Sequence, residues 1–449
     1  QGAASPGGTV DSAGRAAINE RETPMKIAQI APLFESVPPQ RYGGTERVVS
    51  FLTEELVRRG HEVTLFASGD SRTAAKLVAG CPQALRLDKR SVDKMAPQLL
   101  MLERVYQAAD DFEIIHFHCD YLHYPSSRRH GCRRVTTLHG RLDLPELGPM
   151  YREFNDEPLV SISDSQRRPI HWANWVSTVY HGLPKNLFHF HAKPGDYLAF
   201  LGRISPEKRV DRAVRIAQTV GMKLKIAAKV DAADRDYYEQ EIKPLLQDSR
   251  SHVEFIGEIG EKEKDEFLGN AYALLFPIDW PEPFGLVMIE SIACGTPVIA
   301  YRHGSVPEVL DDGLSGFVVD NMAQAVQAVG RIAGLSRLEC RRTFERRFSV
   351  ERMTEDYLSI YRRLAEDGCD RDRAWDSDSI DVRPPLRICA TAAKGKSDVR
   401  HDRKLAHTGN GAASADRNEP ARRRANPSSE ELDGQPRPDS PLRLGTGTA

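Results

Sequence analysis

Seven cysteines, at 81, 119, 132, 294, 340, 369 and 389, are all that 449 residues contain, and no two are spaced Cys-x-x-Cys. An odd, scattered set of this kind argues against a disulfide framework or a cysteine-built zinc site, and fits a reducing cytoplasm. Charge of one sign is equally lacking. Lys and Arg number 62 against 64 Asp and Glu, a net charge of -2, which gives no whole-chain argument for nucleic acid or a membrane surface. No apolar run approaches the roughly 20 residues of a membrane span. Residues 1–24 hold no apolar segment of secretory-signal type. No Gly-x-Gly-x-x-Gly accompanies a strand-like run, which argues against a dinucleotide-binding dehydrogenase, and no solenoid-type repeat is found.

What is present is an ordinary globular mixture, 40% hydrophobic and 28% charged, long enough for two or three domains. Strand-like runs at 26–31, 62–67, 113–117, 135–138, 159–162 and 176–179 alternate with helical patterns, clearest at 45–59 and 91–109. A second series has strands at 197–201, 224–228, 253–256, 273–276 and 298–301, with helices near 206–219, 237–246, 262–270 and 286–293. Such alternation builds parallel sheets with helices on both faces. The fold class is therefore α/β, with two doubly wound, Rossmann-like domains. The first covers 25–190 and the second 191–348. A helix follows at 349–365. The segments 1–24 and 366–449 are rich in small, polar and charged residues and are expected to be disordered.

The stretch Pro281-Glu282-Pro283-Phe284-Gly285-Leu286-Val287-Met288-Ile289-Glu290 organises the chain. It reads as the loop after a strand and the start of a helix. Glu282 then stands in the crevice at a strand's C-terminal end, where open α/β sheets bind ligands. Glu290 lies along the helix, and the amides of Phe284, Gly285, Leu286 and Val287 between them suit a phosphate. One ligand spans this arrangement, with a sugar at Glu282, phosphates at the amides and a ribose at Glu290. Arg203 and Lys208 follow the first strand of the second domain. Cations are unfavourable near a helix N-terminus, so a polyanion such as a diphosphate is the better reason for them. Gly43 and Gly44, before the first helix, let backbone approach a ligand. His139 ends a strand-like run and is placed for a site. His116 and His118 share a strand face with no second ligand cluster, so no metal is assigned. The triplets Asp234-Arg235-Asp236 and Asp370-Arg371-Asp372 are read as chance.

Taken together, these residues resemble a family 4 glycosyltransferase of the GT-B type. The elements run in that family's order from Gly43-Gly44 through Arg59-Gly60-His61-Glu62-Val63, Thr137-Leu138-His139-Gly140, Gly202-Arg203 and Lys208. Glu282 with Glu290, Gly295-Thr296-Pro297-Val298 and Gly304-Ser305-Val306-Pro307-Glu308 complete them. The resemblance implies two domains facing a cleft and a hexosyltransferase that moves a sugar with retention. It implies a UDP- or GDP-type nucleotide-sugar as co-substrate, no cofactor and no required metal. The acceptor would be a saccharide, a lipid-linked molecule or a small molecule. His139 and Glu282 would be catalytic. Gly43, Gly44, Arg203, Lys208, Phe284, Gly285, Leu286, Val287 and Glu290 would hold the donor, and the last helix would pack back on the first domain. His181-Gly182 departs from the family's usual Asn-Gly, and Ala227-Ala228-Lys229 from its Gly-x-Gly turn. Relatives acting on lipid-linked acceptors also imply a peripheral place at the inner membrane face, with Arg128-Arg129 and Arg133-Arg134 as the lipid contact. The competing readings are an epimerase or phosphorylase on the same scaffold, and a non-catalytic nucleotide-sugar binder.

Overall fold

Short, largely apolar runs that alternate with helices suit parallel sheets covered by helices, and two such sheets form here. The computed structural model describes residues 23–40, 43–248 and 252–366. The expectations for 1–22 and 367–449 lie outside the described residues. The first sheet comprises β1 (Lys26–Ile30), β2 (Glu62–Ser68), β3 (Lys76–Cys81), β4 (Ile114–Phe117), β5 (Arg134–Thr137), β6 (Leu159–Ser161) and β7 (Trp175–Thr178). All pair in parallel, in the order β3-β2-β1-β4-β5-β6-β7. The second comprises β8 (Tyr197–Arg203), β9 (Lys223–Lys229), β10 (Val253–Gly257), β11 (Ala273–Phe276), β12 (Val298–Tyr301) and β13 (Gly316–Val319). Its order, β10-β9-β8-β11-β12-β13, repeats the same winding. Each sheet therefore reverses direction once, between β1 and β4 and between β8 and β11, and a crevice opens at each reversal.

Several expected elements are corrected. Strands β3 and β13 were not expected. The helix expected over 91–109 begins at Ala96, because the Asp93 carboxylate takes the amides of Met95 and Ala96 in a local turn. The helix expected from Pro206 is split. Pro206–Lys208 forms a 3₁₀ turn, Arg209 adopts a left-handed φ of 52°, and the α-helix starts at Val210. Lys208 thus sits on a turn of its own, not in the first helical turn. The helix expected over 237–246 includes a π-helical stretch at Tyr238–Ile242.

The chain crosses from one sheet to the other at Leu183 and returns at Ser349. The two crossings lie side by side. The Leu183 amide donates to the Phe348 carbonyl (2.9 Å) and the Val350 amide to the Leu183 carbonyl (2.9 Å). The returning helix, Val350–Glu366, buries Met353, Tyr357, Leu358 and Tyr361 among Ile27, Val48, Leu52, Ile114 and Val135 of the first sheet's core. Gly182 makes the crossing close enough, since a Cβ there would stand 2.3 Å from the Ser349 carbonyl oxygen. Gly182→Ala should therefore cost about 1–3 kcal/mol through overpacking against backbone. Gly330→Ala, where a Cβ meets nothing within 4 Å, should gain roughly 0.5–1 kcal/mol of helix stability. Thermal unfolding of both variants checks the pair.

Candidate active site

The loops after the strands flanking each reversal converge on one cavity of about 990 Å³. From the first sheet come Gly43 and Gly44 after β1, Asp120 after β4, His139 after β5, and His181 from the crossing. From the second come Arg203 and Lys208 after β8, and Glu282, Phe284–Val287 and Glu290 after β11. The structure thus brings together every site residue named from the sequence. Glu282 is fixed through its backbone, with its carbonyl accepting from the Ser305 amide (3.0 Å). Gly304, at φ 55°, leaves room for that approach, because a Cβ would stand 2.3 Å from the Glu282 nitrogen and oxygen. The helix Leu286–Ala293 starts from Gly285, whose φ of 81° turns the chain and which offers no side chain to cap the first amides. Gly44 lies against this helix, since a Cβ there would meet Leu286 Cδ1 at 3.6 Å.

Each carboxylate is held by cations through one oxygen only. Glu282 Oε2 pairs with Lys208 and accepts from Trp280 Nε1 (2.9 Å). Glu290 is 2% exposed, and its Oε1 pairs with Arg47 and with Lys264 (3.1 Å). Arg47 comes from the first helix, Gly44–Arg58, and also reaches Glu261 at 2.6 Å. Burial acts to raise the Glu290 carboxyl, but the Lys264 and Arg47 charges outweigh it and hold it down to about 2. Among the described residues, Glu282 Oε1 and Glu290 Oε2 have no partner. Arg203 pairs with Glu207 (2.9 Å) and with Asp234 (3.3 Å). Asp234, read as chance in the sequence, thus anchors a site cation.

His139 is not isolated. Its Nε2 meets His118 Nδ1 at 2.9 Å, and its Nδ1 is buried with no partner among the described residues. His181 stacks on it, ring centroids 5.4 Å apart, and Phe284 packs edge-on to His181. Sequence reasoning did not assign roles to Arg47, Trp280, His181 or Glu46. The only signals were the adjacency of Glu46 and Arg47 to Gly43-Gly44, and His181 standing where Asn is usual. Glu46 is 7% exposed and lines the cavity. Burial raises its carboxyl from 4.5 to about 7, its own backbone amide acting against this and the neighbouring Glu35 charge adding a smaller rise. A raised carboxyl means that ionisation works against folding, so stability is lost as pH climbs from 4.5 through 7. Glu46→Gln should match the wild type at about pH 4 and exceed it by up to about 3 kcal/mol at about pH 8, which urea unfolding at the two pH values measures.

Residues 42–201 match the family model Glycosyltransferase Family 4, and residues 188–347 match Glycosyl transferases group 1. The alpha-maltose-1-phosphate synthase of Mycolicibacterium smegmatis is 24% identical over 396 residues, 75% of this chain and 100% of that protein. A D-inositol 3-phosphate glycosyltransferase of Saccharomonospora viridis is 31% identical over 190 residues, 37% of this chain and 42% of that protein. Coverage of the curated relatives' own lengths thus runs from 42% to 100%. The Anabaena protein HepE, solved with UDP and glucose, superposes with a TM-score of 0.59 at 15% identity, covering 76% of this chain and 100% of that one. At such identity the likeness speaks for the fold. The two family models together cover both sheets apart from β1, and the chain belongs to the family 4 glycosyltransferases, with GT-B architecture.

Proposed function

We propose that the protein moves a hexose from a nucleotide-diphosphate-sugar, of UDP or GDP type, to a hydroxyl acceptor with retention and without a required metal. The observation that carries this reading is the pair of half-engaged carboxylates at either end of an uncapped helix N-terminus. Lys208 and Trp280 take one oxygen of Glu282, and Arg47 and Lys264 take one oxygen of Glu290. The remaining oxygen of each is suited to sugar hydroxyls, Glu282 to those of the transferred sugar and Glu290 to those of the ribose. The amides of Phe284–Val287 lie between, where a helix N-terminus favours a diphosphate. Arg203 and Lys208 add positive charge there, and a leaving diphosphate would draw them from Glu207 and Glu282. Charge that develops on the departing phosphate is thereby met by groups already in place, which is the larger part of what such a site must do. His139 faces the donor sugar. Gly43 and Gly44 admit the diphosphate close to the first domain's backbone, which keeps water from the reacting carbon. HepE has been solved with UDP and with UDP-glucose, which supports a UDP-type donor.

Thermal shift without added metal tests this reading. A nucleotide diphosphate at a hundredfold excess over its Kd should add about 2.7 kcal/mol to apparent stability, unchanged by chelator. Lys208→Ala and Glu290→Ala should each abolish the shift. A shift that survives both substitutions, or that needs a divalent ion, removes the donor site as drawn.

A specific observation also favours an acceptor held at a lipid surface. No described helix is long and apolar enough to cross a membrane. Arg128 is committed to Glu153 and Asp156, and Arg134 to Glu157, so the arginine groups named from the sequence are a poor lipid contact. Flanking the cavity-lining Met95 and Gln98 in sequence, however, Val92 (95% exposed), Leu99 and Leu100 are exposed, with Lys89, Arg90 and Lys94 close by in the chain. Wild-type protein should float with phosphatidylcholine–phosphatidylglycerol vesicles, and a Val92→Glu, Leu99→Glu, Leu100→Glu variant should not. Equal flotation of the two would end this second reading.

A further inference from the structure

Behind His139 runs a continuous buried chain of polar side chains that ends on the returning helix. His118 Nε2 meets Gln29 Oε1 at 2.9 Å, and Gln29 Nε2 donates to the Tyr361 hydroxyl at 3.1 Å. That hydroxyl meets His116 Nδ1 at 2.7 Å. His116 Nε2 meets Thr137 Oγ1 at 2.7 Å, and Thr137 meets the Tyr357 hydroxyl at 3.0 Å. The strand register sets it up, for Gln29 of β1 pairs directly with His116 of β4. Every member except His139 is buried. In such surroundings each donor needs an acceptor.

The chain can be read atom by atom. An amide oxygen only accepts, so His118 must carry its proton on Nε2. Burial keeps His118 uncharged, pushing its imidazole well below the usual range, so its Nδ1 is a lone pair. His139 Nε2, 2.9 Å away, must then be the protonated nitrogen of that ring. Burial likewise holds His139 down to about 3. Its Nδ1 is therefore a bare lone pair, and it is the ring nitrogen of His139 that no described residue engages. The opposite end closes consistently. The Tyr361 oxygen receives the Gln29 amide and so donates its own proton to His116 Nδ1. The proton of His116 then sits on Nε2, facing Thr137.

We propose that Gln29, anchored by Tyr361 on the returning helix, is a positioning residue that fixes the tautomer of His139 through His118, so that His139 keeps its proton on Nε2 and leaves Nδ1, buried and unpartnered among the described residues, as an acceptor and not a donor. This rests on the proposed function only in placing His139 beside the donor sugar. An accepting Nδ1 suits a sugar hydroxyl. It is unsuited to a phosphate oxygen, which also only accepts, so the same tautomer helps keep the diphosphate at the Arg203 and Lys208 side. Neither Gln29 nor Tyr361 lines the cavity, and their action on the sugar is indirect.

The test is the nitrogen spectrum of ¹⁵N-histidine-labelled full-length protein, with His139→Gln used to assign the His139 signals. In the unliganded wild type, His139 should show a protonated Nε2 and an unprotonated Nδ1. Gln29→Leu and Tyr361→Phe should each move His139 toward a mixture of tautomers. A proton on His139 Nδ1 in the wild type overturns the proposal without need of any variant. So does an unchanged His139 pattern in folded Gln29→Leu or Tyr361→Phe. Adding UDP-glucose should then shift the His139 Nδ1 signal. Absence of that last shift, with the tautomer as stated, counts against the donor reading and leaves the relay in place.

Discussion

A carboxylate charge at 2% exposure is tolerable only with cations on hand, and Glu290 takes one of its two from the opposite domain. Removing an ion of this kind from water costs several kcal/mol before any partner is counted. Lys264 alone is itself buried and lowered by that burial. Arg47 completes the compensation, and Arg47 lies one turn into the helix that follows Gly43-Gly44. The glycine loop and the donor-side helix are thus held in register by one buried ion cluster. The placement of both cavity walls depends on it.

Within those walls the charge is unevenly spread. His116, His118, His139 and His181 are all pushed down by burial, and His139 and His181 give the first domain's side of the cavity uncharged rings. Arg203 and Lys208 stand on the second domain, while Arg86 and Arg141, first-domain cations at the cavity, pair with Glu35 and Asp143. A donor lying along the cavity would have its charged part where the positive groups are and its sugar among neutral acceptors. Orientation follows from electrostatics before any shape is considered.

Much of the fold was legible because both sheets are parallel and buried, so their strands read as apolar runs between glycines and helical patterns. The runs that failed are informative. Strand β3, Lys-Leu-Val-Ala-Gly-Cys, is half exposed at an edge and carries a glycine, so neither burial nor alternation marks it. Strand β13 has four residues and follows a glycine turn. The site residues named from motifs all reach the cavity, because loops after strands at a sheet's reversal must converge there. What pattern could not give was pairing across 200 and more positions, such as Arg47 with Glu290, or Gln29 with Tyr361. No local period encodes such partners; they are set by how the second domain and the last helix return to the first.

That return has a mechanical side. The chain passes between the domains twice, and the two passages are fastened to each other by the backbone bonds of Leu183 with Phe348 and Val350. Two fastened strands make a hinge pin. The domains can rotate about it, but they cannot slide apart without breaking those bonds. Displacement grows with distance from a pin, so His181, next to it, would barely move against Phe284. The Arg47–Glu290 pair, which ties the two domains together, would have to open for the same turn. A rotation of this kind would admit a long ligand at the far end while leaving the sugar's surroundings almost unchanged.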